Sequence, residues 1–147
     1  TFSQADAEWV ADQIILLRLP VGHDSRAILA GVRGPNQLEA AIEAVPEAVK
    51  AIEDRDNVAL GRAISHGQRA KEQVPGAVPE WLATLIARVR NLPGVWGCKV
   101  AGAGAGGHLI VVRTPGCGHA VAIARDLGLT VIHPRPDLQG ARSSGWR

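Results

Sequence analysis

The chain has 147 residues, 46% of them hydrophobic and 20% charged, with a formal net charge of +2. That is enough chain for one core and too apolar for a disordered segment. The Lys and Arg residues are scattered rather than gathered in runs, and one Phe with four Trp offers few stacking platforms, which argues against a nucleic-acid surface. No apolar stretch approaches the roughly eighteen residues needed to cross a bilayer, so no membrane partner is expected and the cytoplasm is the simplest location.

The chain begins at Thr1 and contains no Met, so either an initiator has been removed or the sequence is a piece of something longer. Gln13 to Leu19, "QIILLRL", is a β-rich run closed by Pro20 and Gly22 and reads as the first strand. The segment "HDSRAILAGV" then offers Asp24 or Ser25 as an N-cap for a short helix before Gly34 and Pro35. An Ala- and Glu-rich region follows, with breaks expected at Pro46 and at the Asp-Arg-Asp-Asn cluster of 54–57. These predict helices near 36–45, 46–54 and 57–73.

The stretch 78–92, "VPEWLATLIARVRNL", is strongly amphipathic: Pro79 suits its first turn, and Leu82, Leu85, Ile86 and Val89 form one apolar stripe, with Trp81 expected in the core. Beyond "LPG" the period shifts from about 3.6 to about 2. "VWGCKVA" and "HLIVVR" become strands, "TPGCGHAVAIARDLG" a turn and a helix with Ala120, Ile123, Ala124 and Leu127 facing inward, and "LTVIHP" the last strand. The order predicts an α+β fold of the ferredoxin-like split β-α-β-β-α-β type, with extra helices inserted in the first crossover. Cys98 and Cys117 lack any CxxC spacing and read as small buried hydrophobes. The five histidines, His23, His66, His108, His119 and His133, show no metal-ligand spacing, so no metal site is expected within the chain.

The most informative segment is "GCKVAGAGAGGHLIVVR", Gly97 to Arg113. Gly102, Gly104 and Gly107 satisfy G-x-G-x-x-G, but the loop runs into a strand, whereas a dinucleotide site requires a helix whose N-terminus holds the pyrophosphate. A P-loop is excluded because no Gly-Lys-Ser/Thr follows. Two readings stay open: a glycine hairpin, and a loop whose bare backbone approaches an anion with successive N–H groups. Lys99, three residues ahead of the loop, either approaches a phosphate or faces solvent. His108 either reports on an anion or is half-buried in its strand.

This segment closely resembles the third conserved motif of the GHMP kinases, the superfamily of galactokinase, homoserine kinase, mevalonate kinase and phosphomevalonate kinase. Gly97, Lys99, Gly102, Ala103, Gly104, Gly106 and Gly107 match the motif, with Ala105 in place of a common glycine and His108 where members often have Cys or Phe. The helices before it and the strand, helix and strand after it are similar to the C-terminal domain of that family. "LRLPVGHDSRAIL" resembles the opening of that domain, and the ending "DLQGAR", with Asp137, Gly140 and Arg142, looks most like the sugar and heptose kinase branch.

The resemblance implies a phosphate- or substrate-side loop formed by Gly102, Ala103, Gly104, Ala105, Gly106 and Gly107 with Lys99. It further implies that Asp24, Ser25 and Arg26 face the acceptor, although their ordinary reading is a helix cap and a surface arginine. ATP and Mg²⁺ would serve the complete kinase. Nothing in the 147 residues resembles the family's Pro-x-x-x-Gly-Leu-Gly-Ser-Ser-Ala loop, so the resemblance implies a single C-terminal domain, with no catalytic residue of its own and no tight nucleotide binding. Its partners would be an N-terminal kinase domain, in the same or a separate chain, and a small-molecule substrate with a sugar or related hydroxyl. A face normally covered by that domain would let a lone chain self-associate. The alternative is a non-catalytic module of the same fold that binds a metabolite or regulates a partner.

Overall fold

In the computed structural model of the chain, the structure describes residues 2–22, 26, 28, 30 and 36–137. The described elements are α1 (Gln4–Gln13), β1 (Ile14–Arg18), α2 (Asn36–Glu53), α3 (Asn57–Glu72), α4 (Glu80–Arg90), β2 (Val95–Val100), β3 (His108–Arg113), α5 (His119–Asp126) and β4 (Thr130–Ile132). The four strands are antiparallel in the order β2-β3-β1-β4. Each strand reached through a helical crossover is thus separated from or added beside β1, which is the split β-α-β-β-α-β sheet expected from the element order.

Strand alternation divides the core into two layers. Ile15 and Leu17 of β1, Cys98 and Val100 of β2, and Leu109 and Val111 of β3 bury against Leu82, Ile86 and Val89 of α4 and Ala120 and Ala124 of α5. On the opposite face Ile14 and Val112 meet Ala51 of α2 and Leu60 of α3, with Trp9 of α1 alongside. The inserted helices therefore cover the face of the sheet that the two helices of the simplest split fold leave bare.

α1 had no counterpart in the sequence reading. Its signal is the Ser3–Asp6 capping box: Ser3 Oγ accepts from the Asp6 N–H at 3.2 Å, and the Asp6 carboxylate accepts from the Ser3 N–H at 2.7 Å. Arg55, at φ 55°, fastens this helix to the α2–α3 turn. Its guanidinium pairs with Asp6 at 2.8 Å, donates to the Ala5 carbonyl and lies over the Trp9 ring.

Several expectations are corrected. Pro46 does not divide the region, because α2 runs unbroken through it. The missing N–H would have reached residue 42, and Ile42 and Pro46 are both exposed, so water can take the freed carbonyl while packing on α3 holds the helix. Trp81 is 39% and Leu127 41% exposed; they share an outer notch with Arg88 instead of entering the core. Cys98 is buried as expected, but Cys117 is only half-buried, its thiol donating to the Pro93 carbonyl and lying 3.3 Å from His119 Nδ1. Pro79 also stands one residue earlier than expected, as the N-cap of α4. Among the described residues no helix is long and apolar enough to cross a membrane.

Candidate functional site

The glycine loop joins β2 to β3 and is fastened along its whole length. The Ala101 N–H donates to the His108 carbonyl at 2.8 Å, Ala105 N–H to the Ala77 carbonyl at 2.6 Å, and Gly107 N–H to the Val21 carbonyl at 3.2 Å. Gly107 in turn accepts from the Leu19 N–H at 2.8 Å. Ala103 and Ala105 pack on a small cluster of Ile28, Val74 and Ala77.

Two of the glycines are required for close approach. A Cβ on Gly104 would stand 2.5 Å from the Ala77 carbonyl oxygen at φ 116°, and one on Gly106 would stand 2.2 Å from the Val21 oxygen. Ala105 holds φ 58° although it carries a Cβ, a conformation worth about 1–3 kcal/mol of strain that its bond to Ala77 and its packing offset. The N–H groups of Ala105 and Gly107 are therefore committed to the protein.

The motif's first glycine has a separate cause. A Cβ on Gly97 would lie 1.9 Å from the Gly61 carbonyl oxygen, and one on Gly61 would lie 2.4 Å from Trp96 Cβ. This glycine pair lets α3 pack directly on β2, which brings the C-terminal turn of α3 to the foot of the loop.

That turn supplies a residue the sequence reading missed. Lys71 Nζ donates to the Val100 carbonyl at 2.6 Å and to the Gly102 carbonyl, bridging the end of β2 to the loop. Burial pushes its pKa down to about 8, with the charge of Lys99 adding to the effect. Lys99 itself is half-buried against α3, and Gly67 leaves room for its amine, which lies 3.1 Å from the position of a Cβ there. It is thus not free in solvent, and among the described residues it forms no ion pair with a carboxylate. In the sequence Lys71 looks like any cation in a last helical turn, and only the Gly61–Gly97 contact distinguishes it.

A second wall comes from strand register. Arg18 of β1 pairs with His108 of β3 and with Thr130 of β4, so the three side chains share one face at the loop end of the sheet. They border a cleft of about 500 Å³ that reaches Val21, Gly107 and Gly128. Among the described residues no carboxylate lines it. His108 is half-buried. Asp24 and Ser25 lie outside the described residues, as do Gly140 and Arg142; Arg26 and Asp137 are exposed.

The donor set is cationic and suits an anion. It does not fit a Mg²⁺ ion, and among the described residues no three His, Cys, Asp or Glu stand close enough together to hold a metal.

The comparisons agree with this geometry. Residues 48–116, ending just beyond β3, match the family model described as GHMP kinases C terminal. No curated protein sequence matches the chain. Among solved structures, L. major mevalonate kinase in complex with R-mevalonate is similar over 82% of this chain and 42% of its own, at 13% identity and a TM-score of 0.68. Streptococcus pneumoniae phosphomevalonate kinase in complex with phosphomevalonate and AMPPNP is similar over 80% of this chain and 37% of its own, at 17% identity and a TM-score of 0.67. Lactococcus lactis galactokinase complexed with galactose covers 82% and 45%, at 12% identity and a TM-score of 0.56. The chain spans less than half the length of each.

Proposed function

We propose that the chain is the C-terminal, lid-side half of an ATP-dependent small-molecule kinase of the GHMP type, acting in the cytoplasm on a sugar or related hydroxyl acceptor, a reading supported by the match of residues 48–116 to the family model. The observation that carries this reading is the pair Lys71 and Lys99, gathered at the foot of the glycine loop with no carboxylate partner among the described residues. Phosphoryl transfer depends on positioning and on neutralising charge at the transferred group, and ATP with Mg²⁺ would bring that group. Here the lysines supply positive charge, the packed loop excludes water from one side, and Arg18 extends the positive wall toward the acceptor, with His108 beside it as a hydrogen-bonding group.

On this reading the catalytic base and the metal ligands come from an N-terminal domain, and the chain alone is inert. Residues 102–107 with Lys99 stay the phosphate-side segment, and Arg26 remains a candidate on the acceptor side.

The test is phosphoryl transfer from ATP to a panel of sugars and sugar phosphates by the chain combined with a GHMP-kinase N-terminal domain, in the same or a separate chain, beside residues 1–147 alone. Turnover is expected only in the combination, with a Lys99→Gln variant losing tenfold or more in kcat/KM. Tight ATP binding by residues 1–147 in calorimetry would contradict the division of labour. Unchanged kcat/KM in Lys99→Gln would remove the lysines from the reaction and favour a metabolite-binding module.

A further inference from the structure

The sheet's outer edge carries a second basic recess, built from different residues. Arg62, Ser65 and Arg69 project from one face of α3 at the helical spacing of i, i+3 and i+7, and Arg90 comes from the last turn of α4 on the other side of the sheet. With Trp96 at the edge strand β2 they enclose a notch of about 250 Å³. Ser65 Oγ lies beside Gly97, only 2.5 Å from where a Cβ would stand, so α3 is held tightly against this edge.

The Trp96 wall of the recess stands at the start of β2, away from the glycine loop, while Arg69 and Arg90 extend along the sheet edge toward the last turn of α3, where Arg90 meets Glu72. Val100 stands four steps along the strand from Trp96, a rise of about 13 Å. Along α3, Gly61 contacts Trp96 whereas Lys71 contacts Val100, so the same helix serves both ends with different faces.

Its charges are poorly compensated. Arg62 and Arg69 form no ion pair among the described residues. Arg90 meets one carboxylate, Glu72, at 3.5 Å, lies against the buried Cys98 thiol, and keeps a buried Nε with no hydrogen-bond partner. Three arginines thus line one concavity, the exposed Arg62 and Arg69 on one wall and Arg90 on the other, with Glu72 the one carboxylate paired to any of them among the described residues. A carboxylate satisfies one guanidinium fork, whereas a phosphate group presents oxygens to several at once. The notch is too small for a polymer, and the half-exposed Trp96 ring, its indole N–H donating to Thr114 Oγ1 at 3.1 Å, offers an apolar wall for an organic body.

We propose that this notch is a second anion site, which takes the phosphate group of a phosphorylated small molecule independently of the glycine loop. Arg62, Arg69 and Arg90 hold the phosphate oxygens, Ser65 donates its hydroxyl, and Trp96 flanks the remainder.

The experiment follows the indole N–H resonance of Trp96, assigned with Trp96→Phe, as the chain is titrated with inorganic phosphate and then pyrophosphate at constant ionic strength. A saturable shift is expected, tighter for pyrophosphate. Its midpoint should rise at least tenfold in Arg62→Gln/Arg69→Gln, whose remaining resonances report that the variant is folded. Lys71→Gln should leave the midpoint unchanged, which separates this site from the loop. The proposal is overturned if the Trp96 resonance does not move, if the double variant keeps the parent midpoint, or if succinate at equal ionic strength moves it as well as phosphate does.

Discussion

Replacing Gly97 by Ala probes the contact on which the site is built. The new Cβ would sit 1.9 Å from the Gly61 carbonyl oxygen and 2.6 Å from its carbon, where ordinary contact begins near 3.4 Å. Ser65 Oγ, also within 2.5 Å, can rotate away, but the Gly61 backbone lies in the middle of α3 and cannot. α3 must therefore retreat by about 1.5 Å from an edge strand it covers closely. Overpacking of this kind costs about 1–3 kcal/mol, and the gap opened beneath Leu60 adds a cavity cost, so about 3 kcal/mol in total is a reasonable magnitude. For a chain of this length that lowers Tm by roughly 6–12 °C. Thermal melts followed by circular dichroism measure it, with Gly22→Ala as control, since a Cβ there meets nothing within 4 Å. A Gly97→Ala melting point within about 2 °C of the parent would refute the view that the motif's first glycine serves helix-on-strand contact.

Two further outcomes follow from titration and capping. Lys71 loses its proton near pH 8 in the folded chain but only near 10.5 when unfolded, so between those values the unfolded state binds more protons and stability rises with pH. In urea midpoints measured from pH 7.5 to 10, Lys71→Met should flatten that rise, and equal slopes in parent and variant would show that the lysine is not desolvated. Ser3→Ala removes one arm of the capping box and should cost about 1 kcal/mol, seen as faster amide exchange confined to α1. The Ser3 backbone and hydroxyl, with Arg55 beyond them, hold the Asp6 pKa below its ordinary 3.8, so this end's contribution is complete above that value and is lost as pH falls through the lower folded one.

The sheet order and the strand–loop–strand setting of the glycines were legible because both rest on a visible change of hydrophobic period, from 3.6 in α4 to 2 in β2 and β3. α1 was not, because its apolar pattern is weak and its start is marked only by Ser3 and Asp6. Pro46 misled because the rule against proline in a helix concerns one missing bond, whereas the neighbouring helix decides whether α2 continues. Lys71 and Arg18 could not have been found from local sequence. Lys71 acquires its role from the approach of α3 to β2, and Arg18 from a pairing with His108 ninety positions away.

The glycine count, which first suggested a ligand, turns out to be explained largely by the protein itself. Gly104 and Gly106 make room for Ala77 and Val21, Gly102 and Gly107 take positive φ, and two of the loop's N–H groups are spent internally. Packing does not account for the lysines. Withdrawing Lys71 from water beside Lys99, with only carbonyls as partners, works against stability, as its depressed pKa records. The two classes of residue should therefore separate by experiment: glycine substitutions loosen the loop and lower the melting point, whereas Lys99→Gln melts where the parent does and, in the combined kinase proposed above, lowers kcat/KM. If the proposed phosphate site is right, two half-buried lysines with no carboxylate partner among the described residues mark it better than the glycines that frame it.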